Sequence, residues 1–377
     1  MLPVELELPS QLLLISSSAS AMARSASRTG IETIALDFYA DVDTLEAAHA
    51  VSAVKTGRYG FDSDDLLAKA SRLAPPKDFP LVYGSGLDSS PELLEKLSEN
   101  RLILGNQPHV LRAVRNTRNF FSILDQLEIP YPDTRWSPPV DNRPKKWLIK
   151  RGLSEGGKGI RWLDQDIQDN DVYYQKKLPG HAHSLLFLAG SGSIAPIGFN
   201  RLHHISTPTH PFLFAGATEA KSPDNQLKAK ITSYAKKISQ TLSLRGLNSL
   251  DFLIHDNACF ILELNCRPSA TLALYDEDFM GGILAAHIRA SCYGALESPR
   301  ERDNIKGFKV VIAEQTLEIP SGFAWPAGCF DRPKDQSILS KGDPLCTVEA
   351  QGASETECHR QLDRKEQMLL NQLLTGI

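Results

Sequence analysis

Leu247-Asn248-Ser249-Leu250-Asp251-Phe252-Leu253-Ile254, then His255-Asp256-Asn257-Ala258, then Cys259-Phe260-Ile261-Leu262-Glu263-Leu264-Asn265-Cys266-Arg267-Pro268 run consecutively. The first and third stretches read as strands and the second as the turn between them. Glu263 and Asn265 are two apart, so both project from one face of the return strand. Antiparallel pairing about the turn places Asp251 opposite Glu263 to within one residue. Acidic side chains amid apolar strands are costly without a partner. Three oxygen donors at one strand end are what Mg²⁺ prefers, with phosphates and water completing its octahedron. Asp251, Glu263 and Asn265 are therefore expected to hold a metal. Arg267 follows them off the strand end with five donors within reach of a phosphoryl oxygen.

Upstream, Trp147-Leu148-Ile149-Lys150 ends a strand, and Ser154-Glu155-Gly156-Gly157-Lys158-Gly159 forms a glycine-rich turn into Ile160-Arg161-Trp162. Gly156, Gly157 and Gly159 leave backbone N–H groups free to wrap anionic oxygens. Lys150 adds a point charge for a phosphate. The segment reads β–turn–β and lacks the Walker pattern. Val172-Tyr173-Tyr174-Gln175-Lys176-Lys177-Leu178-Pro179-Gly180 is a strand entering a turn. Such a segment can offer an amide and backbone groups to a purine edge.

These elements, in this order, resemble the ATP-grasp superfamily of ligases. The similarity lies in the lysine before a glycine loop, Gln-x-x-Leu, Gly-Leu-Asn-Ser-Leu-Asp and Glu-Leu-Asn-Cys-Arg-Pro. It is closest to carbamoyl-phosphate-synthase-like members, and within them to carboxylate–amine ligases encoded beside one-carbon cofactor genes in methylotrophs and methanogens. Tyr83-Gly84-Ser85-Gly86, Leu104-Gly105-Asn106 and Lys341 to Val348 look like that subgroup too. The resemblance implies ATP and Mg²⁺ (with Mn²⁺ as a substitute), small-molecule carboxylate and amine substrates, an acyl-phosphate intermediate, and a place in pterin or methanofuran-type cofactor assembly. It implies that Lys150 and the loop Ser154–Gly159 contact the phosphates, and that Gln175 and the backbone of Leu178 meet the adenine. Arg267 and Asn265 are the implied catalytic pair, and Asn200 lies in a stretch that lines the acceptor side. His183 stands where relatives place a ribose-binding acid. An earlier phosphate-contacting lysine is missing, and Arg112, Arg115 or Arg118 could replace it, although a solvated basic face is the simpler reading of all three.

The rest of the chain frames this centre. At 377 residues it suggests two or three domains. Residues 11–15, a small-residue turn, 21–29 and 31–37 read as strand, turn, helix and strand ending in Asp37. That opens a doubly wound unit without the dinucleotide fingerprint. Strands at 81–83 and 102–106, a helix at 91–99 and one helix over 109–129 follow. The expected fold is α/β: a Rossmann-like domain over residues 1–108, an ATP-grasp region over 109–300, and a small, mostly β appendage over 301–377.

Composition narrows the function classes. Lys+Arg 41 against Asp+Glu 45 shows no basic excess for nucleic acid. No apolar run approaches a membrane span. The six cysteines form no CxxC pair and read as reduced thiols of a cytoplasmic protein. Cys266 has no base beside it in sequence and reads as a packing residue. The groups His181/His183 and His203/His204/His210 lack the companions of a zinc site and read as loop or pocket residues. A homodimer is one expected assembly. The competing readings are a kinase-like or carbamoyl-phosphate-synthase-like phosphotransferase, a non-catalytic nucleotide-binding regulator, and an oxidoreductase on the N-terminal unit.

Overall fold

The structure, a computed structural model, describes residues 7–58, 60–141, 143–163, 172–207, 209–221 and 223–375. The apolar run Gln11–Ile15 is β1, with Leu12 to Ile15 fully buried. A turn of small residues leads to α1 (Ser20–Ser27) and then β2 (Glu32–Asp37), which pairs with β1 in parallel. The acid that ends β2 has a structural task. Buried Asp37 accepts from the backbone N–H of Ala19 at 3.1 Å and of Ala40 at 2.7 Å. It thus braces the turn that a dinucleotide-binding protein leaves open. The domain continues through α2 (Val42–Ala47), β3 (Ala50–Ala53), the hairpin β4 (Thr56–Gly57) and β5 (Gly60–Phe61), α3 (Ser63–Leu73), β6 (Leu81–Tyr83) and α4 (Pro91–Ser98). Its parallel sheet has the order β3-β2-β1-β6. The strand expected at 102–106 is only a single bridge from Ile103 to Leu81.

The helix expected over 109–129 is two helices, α5 (Pro108–Arg115) and α6 (Thr117–Gln126). Asn116 divides them. Its side chain accepts from the Asn119 N–H at 3.1 Å, a cap that competes with continuing the first helix. A small antiparallel sheet follows, made of β7 (Thr134–Arg135), β8 (Trp147–Arg151), β9 (Ile160–Trp162) and β10 (Val172–Lys176), in the order β7-β10-β8-β9.

The large sheet contains β11 (Ala182–Gly190), β12 (Ser193–Ile205), β13 (Leu213–Glu219), β14 (Gly246–His255) and β15 (Ala258–Asn265), in the order β15-β14-β11-β12-β13. The C-terminal tail extends it. β16 (Ile305–Ile312) pairs with β13, and beyond it lie β20 (Pro344–Gly352) and β18 (Cys329–Phe330). β17 (Leu317–Glu318) and β19 (Ile338–Leu339) pair apart from the sheet.

Helices cover both faces of the large sheet. α7 (Asn225–Leu242) lays Leu227, Ile231, Ala235 and Ile238 on the core that holds Phe187 and Phe252, the stripe its spacing predicts. α8 (Ile283–Tyr293) is wedged between the sheet and α1, so it is apolar almost all round. Its His287 is 1% exposed and joins two domains: Nδ1 accepts from the Leu247 N–H at 2.8 Å, and Nε2 donates to the Leu104 carbonyl at 2.9 Å. Gly246 makes room for that ring, since a Cβ there would lie 2.5 Å from it and φ is +65°. α9 (Glu355–Thr375) packs on β16 and β20.

Candidate active site

The structure sets the register that spacing left open. Asp251 lies directly opposite Glu263, and Ser249 opposite Asn265, just before a bulge at Phe252. Directly paired residues share a face. Asn265 Nδ2 lies 3.3 Å from Asp251 Oδ2 and 3.4 Å from Glu263 Oε1, and Ser249 Oγ donates to Asp251 Oδ1 at 3.1 Å. Burial, followed by the charge of Glu263, pushes the Asp251 carboxyl well above its ordinary range. Two adjoining carboxylates with an amide oxygen donor are a set that a hard divalent cation suits. Among the described residues, three or more His, Cys, Asp or Glu nowhere form a metal cluster, so the donors here are two carboxylates and an amide.

Lys150 faces this pair from the small sheet. Its ammonium donates to Gln175 Oε1 at 2.7 Å. Burial lowers its proton affinity, and the charges of Glu263 and Asp251 oppose that shift. Lys150 and the Asp251–Glu263 pair, from separate sheets, thus meet across one cleft. The glycine loop between β8 and β9 is docked over it. The Phe214 N–H donates to the Gly156 carbonyl at 3.0 Å. Gly157, at φ +79°, lies against Phe212, where a Cβ would come within 1.8 Å of the carbonyl oxygen. A Cβ on Gly159 would strike Ser154, which closes the base of the loop.

On the far side the loop touches the N-terminal domain. Both Glu155 carboxylate oxygens accept from the Gly86 N–H at 3.0 Å. Burial and the neighbouring Asp88 raise Glu155 to about 7. Asp88, at the end of the β6 turn, is 1% exposed and holds two arginines: Arg267 Nε at 2.8 Å and Arg115 Nη2 at 2.6 Å. Burial opposes its charge, but the two guanidinium groups keep it well below the usual carboxylate range. Arg267 also donates to Asn265 Oδ1 at 3.2 Å and to the Pro268 carbonyl at 3.3 Å. It therefore stands beside the metal residues, held by Asp88 rather than free at the strand end. Sequence reasoning missed Asp88 and the contact of Glu155 with the N-terminal domain. Asp88 is outside the quoted motifs, Glu155 is inside the glycine loop but was given no role of its own, and the partners of both are remote in the chain.

Several sequence expectations need correction. Arg115 is no solvated arginine; it is buried on Asp88, whereas Arg112 pairs with Glu95 at the surface and Arg118 lies 4.5 Å over the Trp136 ring. His183 is not in the cleft. Its neighbour Ser184 pairs with Asp251, so His183 points to the other face, where its ring stacks on Phe252 with centroids 5.7 Å apart. The Gln175 side chain, 1% exposed, bonds to Lys150 and to Thr134 Oγ1 at 3.1 Å. Leu178 follows β10 directly, and its carbonyl accepts from the Lys177 ammonium. Asn200 is fully buried between Ser184 and Tyr275, bracing the sheet behind the carboxylates. Cys266 is buried beside Asp88, and burial pushes its thiol up to about 12, which suits packing rather than attack.

Comparison with known proteins agrees with this geometry. The model of the ATP-grasp domain family matches residues 114–271. An uncharacterized protein of Methanocaldococcus jannaschii, MJ0776, is 21% identical over 352 residues, covering 89% of this chain and 87% of its own. Biotin carboxylase from Campylobacter jejuni, in complex with β,γ-ATP, superposes with a TM-score of 0.73 at 14% identity, covering 96% of this chain and 91% of that one. Rhizobium etli pyruvate carboxylase gives 0.71 at 14% identity over 95% of this chain, which spans only 36% of that longer protein. Among the described residues no helix is long and apolar enough to cross a membrane. The ATP-grasp domain model thus accounts for residues 114–271, and the likeness in fold to the solved structures runs over nearly the whole chain.

Proposed function

We propose that the protein is an ATP-dependent carboxylate–amine ligase that works through an acyl phosphate. One observation carries the reading: Asp251, Glu263 and Asn265 face Lys150 across a cleft roofed by a glycine loop, with Arg267 beside them. Asp251, Glu263 and Asn265 would hold Mg²⁺, which screens phosphate charge and aligns the transferred group. Lys150 binds nucleotide phosphate, and Gln175 aims its ammonium. The backbone N–H groups of the loop Ser154–Gly159 close over the phosphates and exclude water. A substrate carboxylate oxygen bonds to the γ-phosphorus as the bond to the bridging oxygen of ADP breaks. An amine then attacks the acyl carbon, loses a proton, and expels phosphate. Arg267 offers its remaining donors to the charge that develops on the phosphoryl oxygens, and Asp88 fixes its direction. The resemblance to ligases encoded beside one-carbon cofactor genes supports a substrate in pterin or methanofuran-type cofactor assembly.

The test is release of ADP and phosphate across a panel of carboxylate and amine pairs. Equimolar ADP and phosphate that depend on both substrates are expected. Arg267→Ala should bind Mg-ATP nearly as wild type yet turn over at least ~100-fold more slowly. Full turnover by that variant, or phosphate release that never requires an amine, would overturn the mechanism.

A further inference from the structure

His203 on β12 and His359 on α9 are 156 residues apart in the chain, yet their Nε2 atoms lie 3.1 Å from each other. Thr218 Oγ1, from β13, lies 2.8 Å from the first and 3.1 Å from the second. Three donor atoms thus form a triangle with edges near 3 Å. Hydrogen bonds cannot close it well. A neutral imidazole has one ring N–H, and here each ring turns its Nε2 into the triangle. If both carry hydrogen there, two donors face one another. If only one does, its hydrogen and that of the Thr218 hydroxyl close two edges, and the third short edge is left without a hydrogen.

The ring positions supply a second, independent observation. The imidazole centroids are 4.7 Å apart and the planes meet at 76°. The nitrogens are 3.1 Å apart against 4.7 Å for the centroids, so the rings turn their Nε2 edges toward each other, close enough for both to meet one ion at about 2.1 Å. A zinc–imidazole bond is about 2.0–2.1 Å, and a real site should match within roughly 0.2 Å. Donor edges of this length are also those of neighbouring ligands at about 90° around such an ion.

We propose that His203, His359 and Thr218 form a binding site for a late divalent transition-metal ion of the zinc, nickel and copper class. This site is separate from the Mg²⁺ carboxylates. Arg201 and His203 lie on the face of β12 opposite to that of Asn200, which backs the cleft. To ligate, the His203 imidazole must be neutral. The charge of Arg201 acts on the same ring, and Lys309 nearby is matched by Asp363 and Glu366. Affinity there must come from nitrogen–metal bonding rather than net charge, which favours imidazole-seeking ions and excludes Mg²⁺ and Ca²⁺. An ion in this place would clamp the C-terminal helix to the central sheet.

The probe is Zn²⁺ itself, titrated by calorimetry into the full chain in saturating Mg²⁺. One equivalent is expected to bind and to raise the melting temperature. His203→Ala and His359→Ala should each weaken binding at least ~10-fold and lose the thermal shift. Glu263→Gln should keep both, because the Mg²⁺ carboxylates are not involved. Should either histidine variant fail to fold, X-ray absorption of the zinc-loaded wild type decides alone: two imidazoles with light-atom ligands are expected. No zinc uptake, a sulfur-bound zinc, or unchanged affinity in both histidine variants overturns the site.

Discussion

Among single residues, Glu263 and Lys150 carry the sharpest consequences. Glu263 is the exposed member of a carboxylate pair whose partner, Asp251, is pushed toward its protonated form. Glu263→Gln removes one charged ligand and also relieves Asp251. ADP affinity, measured by calorimetry with and without Mg²⁺, should be Mg²⁺-dependent by at least about tenfold in the wild type and nearly Mg²⁺-independent in the variant, with the fold kept. On the proposed function, Lys150 would exchange its bond to Gln175 for one to a phosphate when nucleotide binds. A charge-assisted contact of this kind is worth about 1.5–3 kcal/mol. Lys150→Ala should therefore weaken ATP by about tenfold to more than a hundredfold, and equal affinity would show that the lysine points elsewhere. Glu263 drew attention in the sequence because an acid amid apolar strands needs a reason to be there, and Lys150 because a glycine-rich turn follows it. Asp88 was not legible. It is one acid in a polar turn, and only its two arginine partners reveal it.

At the scale of an element, the glycine loop between β8 and β9 is the part that the proposed function requires to open for nucleotide. Gly157 lies against the Phe212 carbonyl with φ +79°, so Gly157→Ala adds both a clash and backbone strain. A non-glycine residue forced into such a conformation costs about 1–3 kcal/mol. That cost falls on the docked loop and not on the two sheets. The expected result is weaker ATP binding, faster tryptic cleavage at Lys158, and an unchanged melting temperature. A drop in melting temperature equal to the loss of affinity would mean that the loop is part of the core. The sequence showed a permissive turn, because glycines announce freedom of φ. It could not show what the turn docks on, since Phe212, Phe214 and Gly86 come from other elements. The break between α5 and α6 was missed for a related reason. Asn116 is compatible with a helix interior or a cap, and its bond to Asn119 decides.

Across the whole molecule, buried polar ties hold the N-terminal domain to the large sheet. His287 is one. It is buried neutral, and burial depresses it from 6.5 to about 4. The unfolded chain takes up a proton near pH 6.5, whereas the folded chain does so only near 4, so the unfolded state binds more protons in between. Stability is then lost as pH falls through that window, by about 1.4 kcal/mol per pH unit and roughly 3 kcal/mol in all. Urea unfolding at a series of pH values should show this slope in the wild type and a shallower one in His287→Asn. Identical slopes would mean that His287 titrates normally. Asp88 is a second tie, joining β6, α5 and the end of β15 through Arg115 and Arg267. Asp88→Ala leaves two buried cations facing each other and should cost about 3–5 kcal/mol of stability, read as a lower urea midpoint.

By itself the sequence determined most of the strands, the order of the motifs and the pair of acids that makes a candidate metal site. Those features are local: alternation along a strand, a glycine run, two acids that apolar neighbours make conspicuous. Tertiary structure decided which face each residue meets. A one-residue difference in register sends His183 onto the Phe252 ring and Ser184 to the carboxylates. The same holds for Arg115 against Arg112, three residues apart on one helix, one buried on Asp88 and the other at the surface. The triangle of His203, Thr218 and His359 belongs wholly to the tertiary level. Its members come from two strands and a distant helix, and no spacing in the chain encodes their meeting.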